Sequence, residues 1–361
     1  MDPRPLLAGA PTSLADLDVQ IAGAGRLMGP EEFVAFTHGT SLLVVAAGKV
    51  ALEWYAPGLG PTDRFLGASM TKSALAVLVG SAIRDGALNL DDVAGKLVPE
   101  LSGSGYERVT VRHLASMTSG VDWRENHRDP DSLGSRLIQS FQDGSGSSRD
   151  LLCMVGPRAE PGTRYEYCTA DSQVLDWVRE RATGTTFADG MAWLWGELGC
   201  TSEAMVALDA APDCGGVAMA GGGLSAASRD WARIGMLQVD GTVDGVRLLC
   251  GDWVDESSAP AARFLEPGRL PSTITTHAGF GYHWWPLDLT GRRVTADGSR
   301  GQFTYVDRDR DVVVVKTSQW PYDEPTDRQC RDLSYLALPE IARAAAPLTR
   351  ETTEPPKGAT P

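Results

Sequence analysis

The stretch Gly67 to Gly80, GASMTKSALAVLVG, places Ser69 three residues ahead of its only lysine, Lys72, at the mouth of an otherwise apolar run. A serine alcohol is a poor nucleophile unless a neighbouring base activates it. In a helix beginning near Ser69, positions i and i+3 share a face one turn apart, so the Ser69 hydroxyl and the Lys72 amine can meet. The helix N-terminus would also favour negative charge developing at Ser69. Lysine is scarce in this chain: the basic residues are 28 arginines and 5 lysines (Lys49, Lys72, Lys96, Lys316 and Lys357). Arginine stays protonated in any protein setting, whereas a desolvated ammonium can surrender its proton. Ala74, Leu75, Val77, Leu78, Ala82 and Ile83 wrap most of the helix circumference, which predicts a buried central helix and supplies that desolvation. A lysine snorkelling from the edge of a buried helix would give the same local pattern. Taken alone, S-x-x-K arises by chance roughly once in a chain of this length.

Histidine is not the obvious base. The five histidines stand at positions 38, 113, 127, 277 and 283, and no Gly-x-Ser-x-Gly elbow accompanies them, so a Ser-His-Asp hydrolase fits poorly. The six cysteines (Cys153, Cys168, Cys200, Cys214, Cys250 and Cys330) are scattered without a C-x-x-C pair, which suits reduced thiols better than zinc sites or a disulfide framework. Neither a metal nor a cofactor is called for.

With 361 residues and 42% hydrophobic content, the chain can bury a large core in one large or two intimately packed domains. A net charge of -14 and a pI near 4.8 argue against nucleic acid or an anionic membrane surface as a partner. The N-terminal MDPRPLLAGAPTSLADLDVQ has no charged segment leading into a long apolar one, and no run of about 18 apolar residues occurs, so the expected location is cytoplasmic.

The elements that must position Ser69 and Lys72 form two β-rich ends around a helical middle. SLLVVAAGKVALEWYA (41–56) reads as two strands around Ala47-Gly48-Lys49, and GQFTYVDRDRDVVVVKTS (301–318) as a second hairpin with a charged turn. In DSQVLDWVRERATG (171–184), Val174, Leu175, Val178 and Ala182 keep helical spacing and the run closes on glycine. Residues 327–346 read as a C-terminal helix. The expected division is a discontinuous α/β domain (1–105 and 215–346), a helical domain (106–214) and a disordered tail (347–361).

SMTKS, followed by VTVRHLASMTSGVDW (109–123), PGTRYEYCTADSQVLDWVRERATG (161–184), AGGGLSAASRDWARIG (220–235) and ADGSRGQFTYVD (296–307), resembles the β-lactamase and penicillin-binding-protein superfamily of serine hydrolases. The five blocks fall in family order and span roughly residues 40 to 345. The nearest likeness is to the branch of 6-aminohexanoate-dimer hydrolases and class C β-lactamase-like esterases. The resemblance implies an α+β fold, an antiparallel sheet flanked by helices with an inserted, mostly helical domain. It also implies that Ser69 is the acylated nucleophile, Lys72 its proton acceptor and Tyr167 the tyrosine that shuttles a proton to the leaving group. Gly298 and Ser299 fall where the family has its Lys-Thr-Gly strand, so the Ser299 backbone N–H would join that of Ser69 in the oxyanion hole.

Four departures bear on the substrate. Ala296 and Asp297 replace the Lys-Thr pair used near a substrate carboxylate in β-lactamases, which speaks against β-lactam hydrolysis; Arg300 is the candidate anion clamp. Gly221 stands where the 6-aminohexanoate branch has an amide-recognising asparagine, and His127 where it has a lid tyrosine. Trp284, Trp285 and Trp320 are candidate pocket walls, and residues 123–146 candidate mobile loops. The expected activity is hydrolysis of a small-molecule ester or amide through an acyl-serine. The alternatives are an acyltransferase or peptide-cyclising enzyme of secondary metabolism using the same intermediate, and a non-catalytic binding protein of the same fold. A homodimer is the one assembly allowed for.

Overall fold

A computed structural model describes residues 4, 6–8, 13–23, 25–125, 129–260, 280–321 and 324–345. Its largest sheet has seven strands, in the spatial order 7–8, 49–55, 39–46, 312–318, 302–307, 293–298 and 285–286. Every neighbouring pair is antiparallel except the first, which is parallel. Both expected hairpins are present. The first turns on Ala47-Gly48, whose φ values of 47° and 72° are both positive, as a two-residue turn matching strand twist requires. The second joins Gln302–Asp307 to Val312–Ser318 across the charged turn.

The run VVVVKTS (312–318) is buried along its whole length because the sheet is covered on both faces. Leu43, Val45, Val313 and Val315 face a core shared with the helices Thr71–Arg84 and Ser228–Asp240. Leu42, Val44, Val312 and Val314 alternate onto the other face, against Glu324–Ala345 and Pro30–Phe36. This is the α+β arrangement expected, with helices of the segment 106–214 packed against Thr71–Arg84. Residues 346–361, and with them the expected tail, lie outside the described residues.

Thr71–Arg84 is the central element, buried from Thr71 through Ala82. Its polar side chains are satisfied within the core. The Ser73 hydroxyl donates to the His283 carbonyl at 2.6 Å, the Ser81 hydroxyl donates to the Leu248 carbonyl at 3.2 Å, and Thr71 Oγ1 accepts from the Leu224 N–H at 3.1 Å. Thr169–Thr183 lies alongside and ends on Gly184 in the left-handed region.

The expectation of mobile loops over 123–146 needs correction. Leu133–Asp143 is an α-helix, capped by the Ser132 side chain at one end and closed by Gly144 at φ 70°. Leu133, Leu137 and Phe141 recur every fourth residue and turn one stripe toward the core. Among the described residues no helix is long and apolar enough to cross a membrane, and no group of three or more His, Cys, Asp or Glu is gathered as for a metal ion.

Candidate active site

Ser69 does not begin the long helix. It occupies a single 3-10 turn, Ala68–Met70, that runs directly into Thr71–Arg84. Ala68 has a φ of 45°, an uncommon conformation for a residue with a side chain, and this bend leads into the turn that presents Ser69. Lys72 Nζ then lies 3.2 Å from Ser69 Oγ. The amine is 2% exposed and has two further partners: the Gly221 carbonyl at 2.5 Å and Thr169 Oγ1 at 3.3 Å. Among the described residues no carboxylate pairs with it.

Gly221 is therefore a wall of the lysine's cradle. Its carbonyl takes the amine, and its N–H donates to Gln173 Oε1 at 2.7 Å. A Cβ at this position would stand 3.0 Å from Thr169 Cγ2. Thr169, Gln173 and Glu125 escaped the reading of the sequence. Glu125 accepts the Thr169 N–H at 2.5 Å and the Trp123 indole N–H at 2.9 Å, which anchors the first turn of Thr169–Thr183. TADSQ lies inside one of the blocks quoted above, but no pattern in it says which side chain will face a lysine 97 residues earlier.

Tyr167 stands beside the amine, with Lys72 Nζ 5.1 Å from its ring centroid. Trp285 stacks on it (5.9 Å, 14° between planes), and Phe280 meets it edge-on at 6.2 Å and 82°. Trp285 thus contacts the candidate tyrosine, while the other two tryptophans are core. Trp284 is 1% exposed, and Trp320 donates its indole N–H to the Thr37 carbonyl on the far side of the sheet.

The strand Arg293–Gly298 ends against the turn carrying Ser69. A Cβ on residue 298 would fall 2.1 Å from the Gly67 carbonyl oxygen, so only glycine allows this approach. Ser299 follows at once in the chain, in the turn after this strand. Ala296 lies on the Ser69 side of the strand, within the core shared with Thr71–Arg84, and brings no charge. Asp297 alternates to the other side, where its carboxylate accepts the Tyr335 hydroxyl at 2.7 Å. Arg300 has a φ of 64° and donates from Nε to the Trp320 carbonyl at 2.8 Å. His127 lies outside the described residues.

Behind Tyr167, the fully buried Asp171 accepts hydrogen bonds from Ser119 Oγ at 2.8 Å and Tyr106 Oη at 3.1 Å, while its Oδ2 has no partner. Desolvation pushes its carboxyl up to about 7, against the opposing pull of Ser119, Cys168 and Tyr106. A raised pKa makes this carboxyl's contribution to stability greatest below the ordinary carboxylate range and lost as pH rises through about 7. Asp171→Asn keeps the Oδ1 acceptor and removes the charge. Its melting temperature relative to wild type is expected to climb by a few degrees between pH 5 and pH 8. A difference constant with pH across that range would contradict this account.

A serine and a buried lysine thus meet where a central helix begins, against the end of an antiparallel strand. The Beta-lactamase family profile matches residues 31–338, so the chain belongs to that family, and it is a serine hydrolase of the amidase and esterase kind. The 6-aminohexanoate-dimer hydrolase of Paenarthrobacter ureafaciens is 29% identical over 332 residues, covering 89% of this chain and 82% of that one. Among solved structures, a Bacillus anthracis protein provisionally described as a 6-aminohexanoate-dimer hydrolase superposes with a TM-score of 0.76 at 19% identity, over 93% of this chain and 87% of that one. EstCE1, a hydrolase with promiscuous acyltransferase activity, gives 0.64 at 18% identity over 84% and 96%. At these identities the two superpositions speak for the fold.

Proposed function

We propose that this hydrolase cleaves small-molecule esters, and amides more slowly, through an acyl-enzyme on Ser69. The observation that carries the reading is the 3.2 Å separation of Ser69 Oγ and Lys72 Nζ in a buried cradle where, among the described residues, no carboxylate pairs with the amine. A neutral amine has two N–H donors and one lone pair. The donors suit the Gly221 carbonyl and Thr169 Oγ1, which leaves the lone pair for the Ser69 proton. Ser69 Oγ attacks the substrate carbonyl carbon as its proton passes to Lys72. The carbonyl oxygen becomes an oxyanion between the backbone N–H groups of Ser69 and Ser299. Collapse expels the alcohol or amine, which receives a proton by way of Tyr167. Water then attacks the acyl-serine, yields its proton to the same relay and releases the carboxylic acid. Ser69, Lys72, Gly221 and Ser299 come from the two α/β stretches, and Tyr167 and Thr169 from the helical segment 106–214, so the reaction takes place at their seam.

Substrate class follows from the recognition positions. Ala296 supplies no cation, Asp297 is committed to Tyr335, and Gly221 has no side chain with which to hold an amide. Arg300 remains the candidate partner for a substrate carboxylate. Comparison of kcat/KM for short-chain aryl esters, linear amides and a chromogenic cephalosporin is expected to place the esters first and the cephalosporin last. Acid-quenched enzyme should carry one acyl group, mapped by fragmentation to Ser69. An acyl group elsewhere would overturn the assignment of Ser69, and a cephalosporin preferred by a wide margin would overturn the reading of Ala296 and Asp297. Adding amines or alcohols to the assay measures transfer against hydrolysis. Release predominantly to those acceptors at low millimolar concentration would favour the acyltransferase reading.

A further inference from the structure

Gln173 is a buried polar side chain that the mechanism above leaves without a task. It is 3% exposed and stands four residues after Thr169 in the helix Thr169–Thr183, so the two share a face. Thr169 Oγ1 meets the Lys72 amine directly. Gln173 meets the loop that holds that amine, with both ends of its amide in use: Nε2 donates to the Ala218 carbonyl at 3.0 Å, and Oε1 accepts the Gly221 N–H at 2.7 Å.

The loop needs such a hold. Ala220-Gly221-Gly222-Gly223 carries a single methyl group and three residues of wide backbone freedom, so side-chain packing does little to set the direction of its carbonyls. Hydrogen bonds set it instead. The two peptide units that flank the Gly221 Cα are pinned through their N–H groups, the first by Gln173 and the second by the Met219 carbonyl, which accepts the Gly222 N–H at 3.1 Å. The second unit carries the Gly221 carbonyl, and that carbonyl accepts Lys72 Nζ at 2.5 Å. A continuous chain of contacts therefore runs from the Ala218 carbonyl through Gln173 and Gly221 to the amine, and from the amine to Ser69 Oγ at 3.2 Å.

We propose that Gln173 is a positioning residue for acyl transfer: by bridging Ala218 and Gly221 it fixes the direction of the Gly221 carbonyl and, through it, the place of the Lys72 amine beside Ser69. The inference rests on the reading of Ser69 and Lys72 as nucleophile and base. Without the amide, the buried Gly221 N–H loses its acceptor, and the glycine run is free to turn in search of another. The carbonyl turns with it, and a misplacement on the order of 1 Å in a catalytic constellation is enough to cost about 10²-fold in rate.

The test uses Gln173→Met and Gln173→Asn in the full chain, with kcat and KM for an aryl ester, the rate at which a fluorophosphonate labels Ser69, and the melting temperature. Methionine keeps the length of the side chain and removes both hydrogen bonds. It is expected to lower kcat and the labelling rate together, about tenfold or more, with KM within about threefold. Asparagine keeps the amide but is one methylene too short to span Ala218 and Gly221, and should fall between methionine and wild type. Val314→Ala, a truncation in the core on the far face of the sheet, is the control for lost stability; it should melt lower and keep both rates near wild type when assayed well below its melting temperature. Wild-type kcat and labelling in the two Gln173 variants would overturn the proposal, as would a loss confined to KM or an equal loss of rate in Val314→Ala. If methionine does not fold, the asparagine variant decides. A Lys72→Ala enzyme with normal rates would remove the base and this inference together; an inactive one beside an unaltered Gln173→Met would remove only the role of Gln173.

Discussion

Ser69→Ala is expected to abolish turnover of a short-chain aryl ester, lowering kcat/KM by about 10⁴-fold or more, as happens when the nucleophile of a group of residues acting as a unit is removed. The reason is covalent: without Oγ there is no acyl-enzyme, and the remaining donors can only polarise the carbonyl for direct attack by water. The fold should survive, because Ser69 sits in a one-turn element anchored by backbone bonds, Gly67 N–H to the Leu224 carbonyl at 2.8 Å and Met70 N–H to the Gly67 carbonyl at 2.9 Å. Steady-state kinetics and labelling by a fluorophosphonate probe check this together, with the melting temperature as the control for folding. Both signals should vanish in the variant. Undiminished turnover would mean that another group is acylated or that none is.

Lys72→Arg should be nearly as inactive as Lys72→Ala, a loss of about 10³-fold or more on the scale of general-base removal. The substitution keeps a positive charge and approximate length, and so isolates the one property arginine lacks, the ability to shed and regain a proton. Geometry adds to the effect. The amine reaches Ser69 Oγ, the Gly221 carbonyl and Thr169 Oγ1 from a single nitrogen, and a planar guanidinium, which has no lone pair to accept with, cannot meet the Gly221 and Thr169 oxygens and also receive the Ser69 proton. Comparison of kcat/KM for the two variants over pH 6–10 is the measurement. If arginine supported near-normal rates while alanine did not, Lys72 would serve as a charge, and the base would have to be sought elsewhere.

Much of this site was legible before any coordinates, and the reason is local. The offset of three residues between Ser69 and Lys72 fixes their meeting once the backbone is helical, and the apolar run after Lys72 requires burial of that helix whatever it packs against. The hairpin at Ala47-Gly48 and the closure at Gly184 are equally local, set by residues that accept positive φ. Leu133–Asp143 was legible too and was missed, because the glycines and serines around it outweighed a Ser132 cap and an apolar repeat of four.

What tertiary structure alone decided is which groups, far apart in the chain, surround the amine. Thr169 faces Lys72 only because Thr169–Thr183 packs beside Thr71–Arg84 in one particular rotation, which a helical repeat does not specify. The parity of the strand ending at Gly298 turns Asp297 to Tyr335 and leaves Ala296 on the Ser69 side, an outcome that depends on register across the sheet. His283 is buried in a left-handed backbone that histidine does not favour by itself, with its carbonyl taking the Ser73 hydroxyl from a helix 210 residues earlier. Spacing determined that a serine and a lysine could meet at the start of a buried helix, and the resemblance of five ordered blocks, not composition, pointed to the hydrolase fold. Long-range packing determined how that lysine is held, because neither the rotation of one helix against another nor the choice of sheet face is encoded within any one segment of the chain.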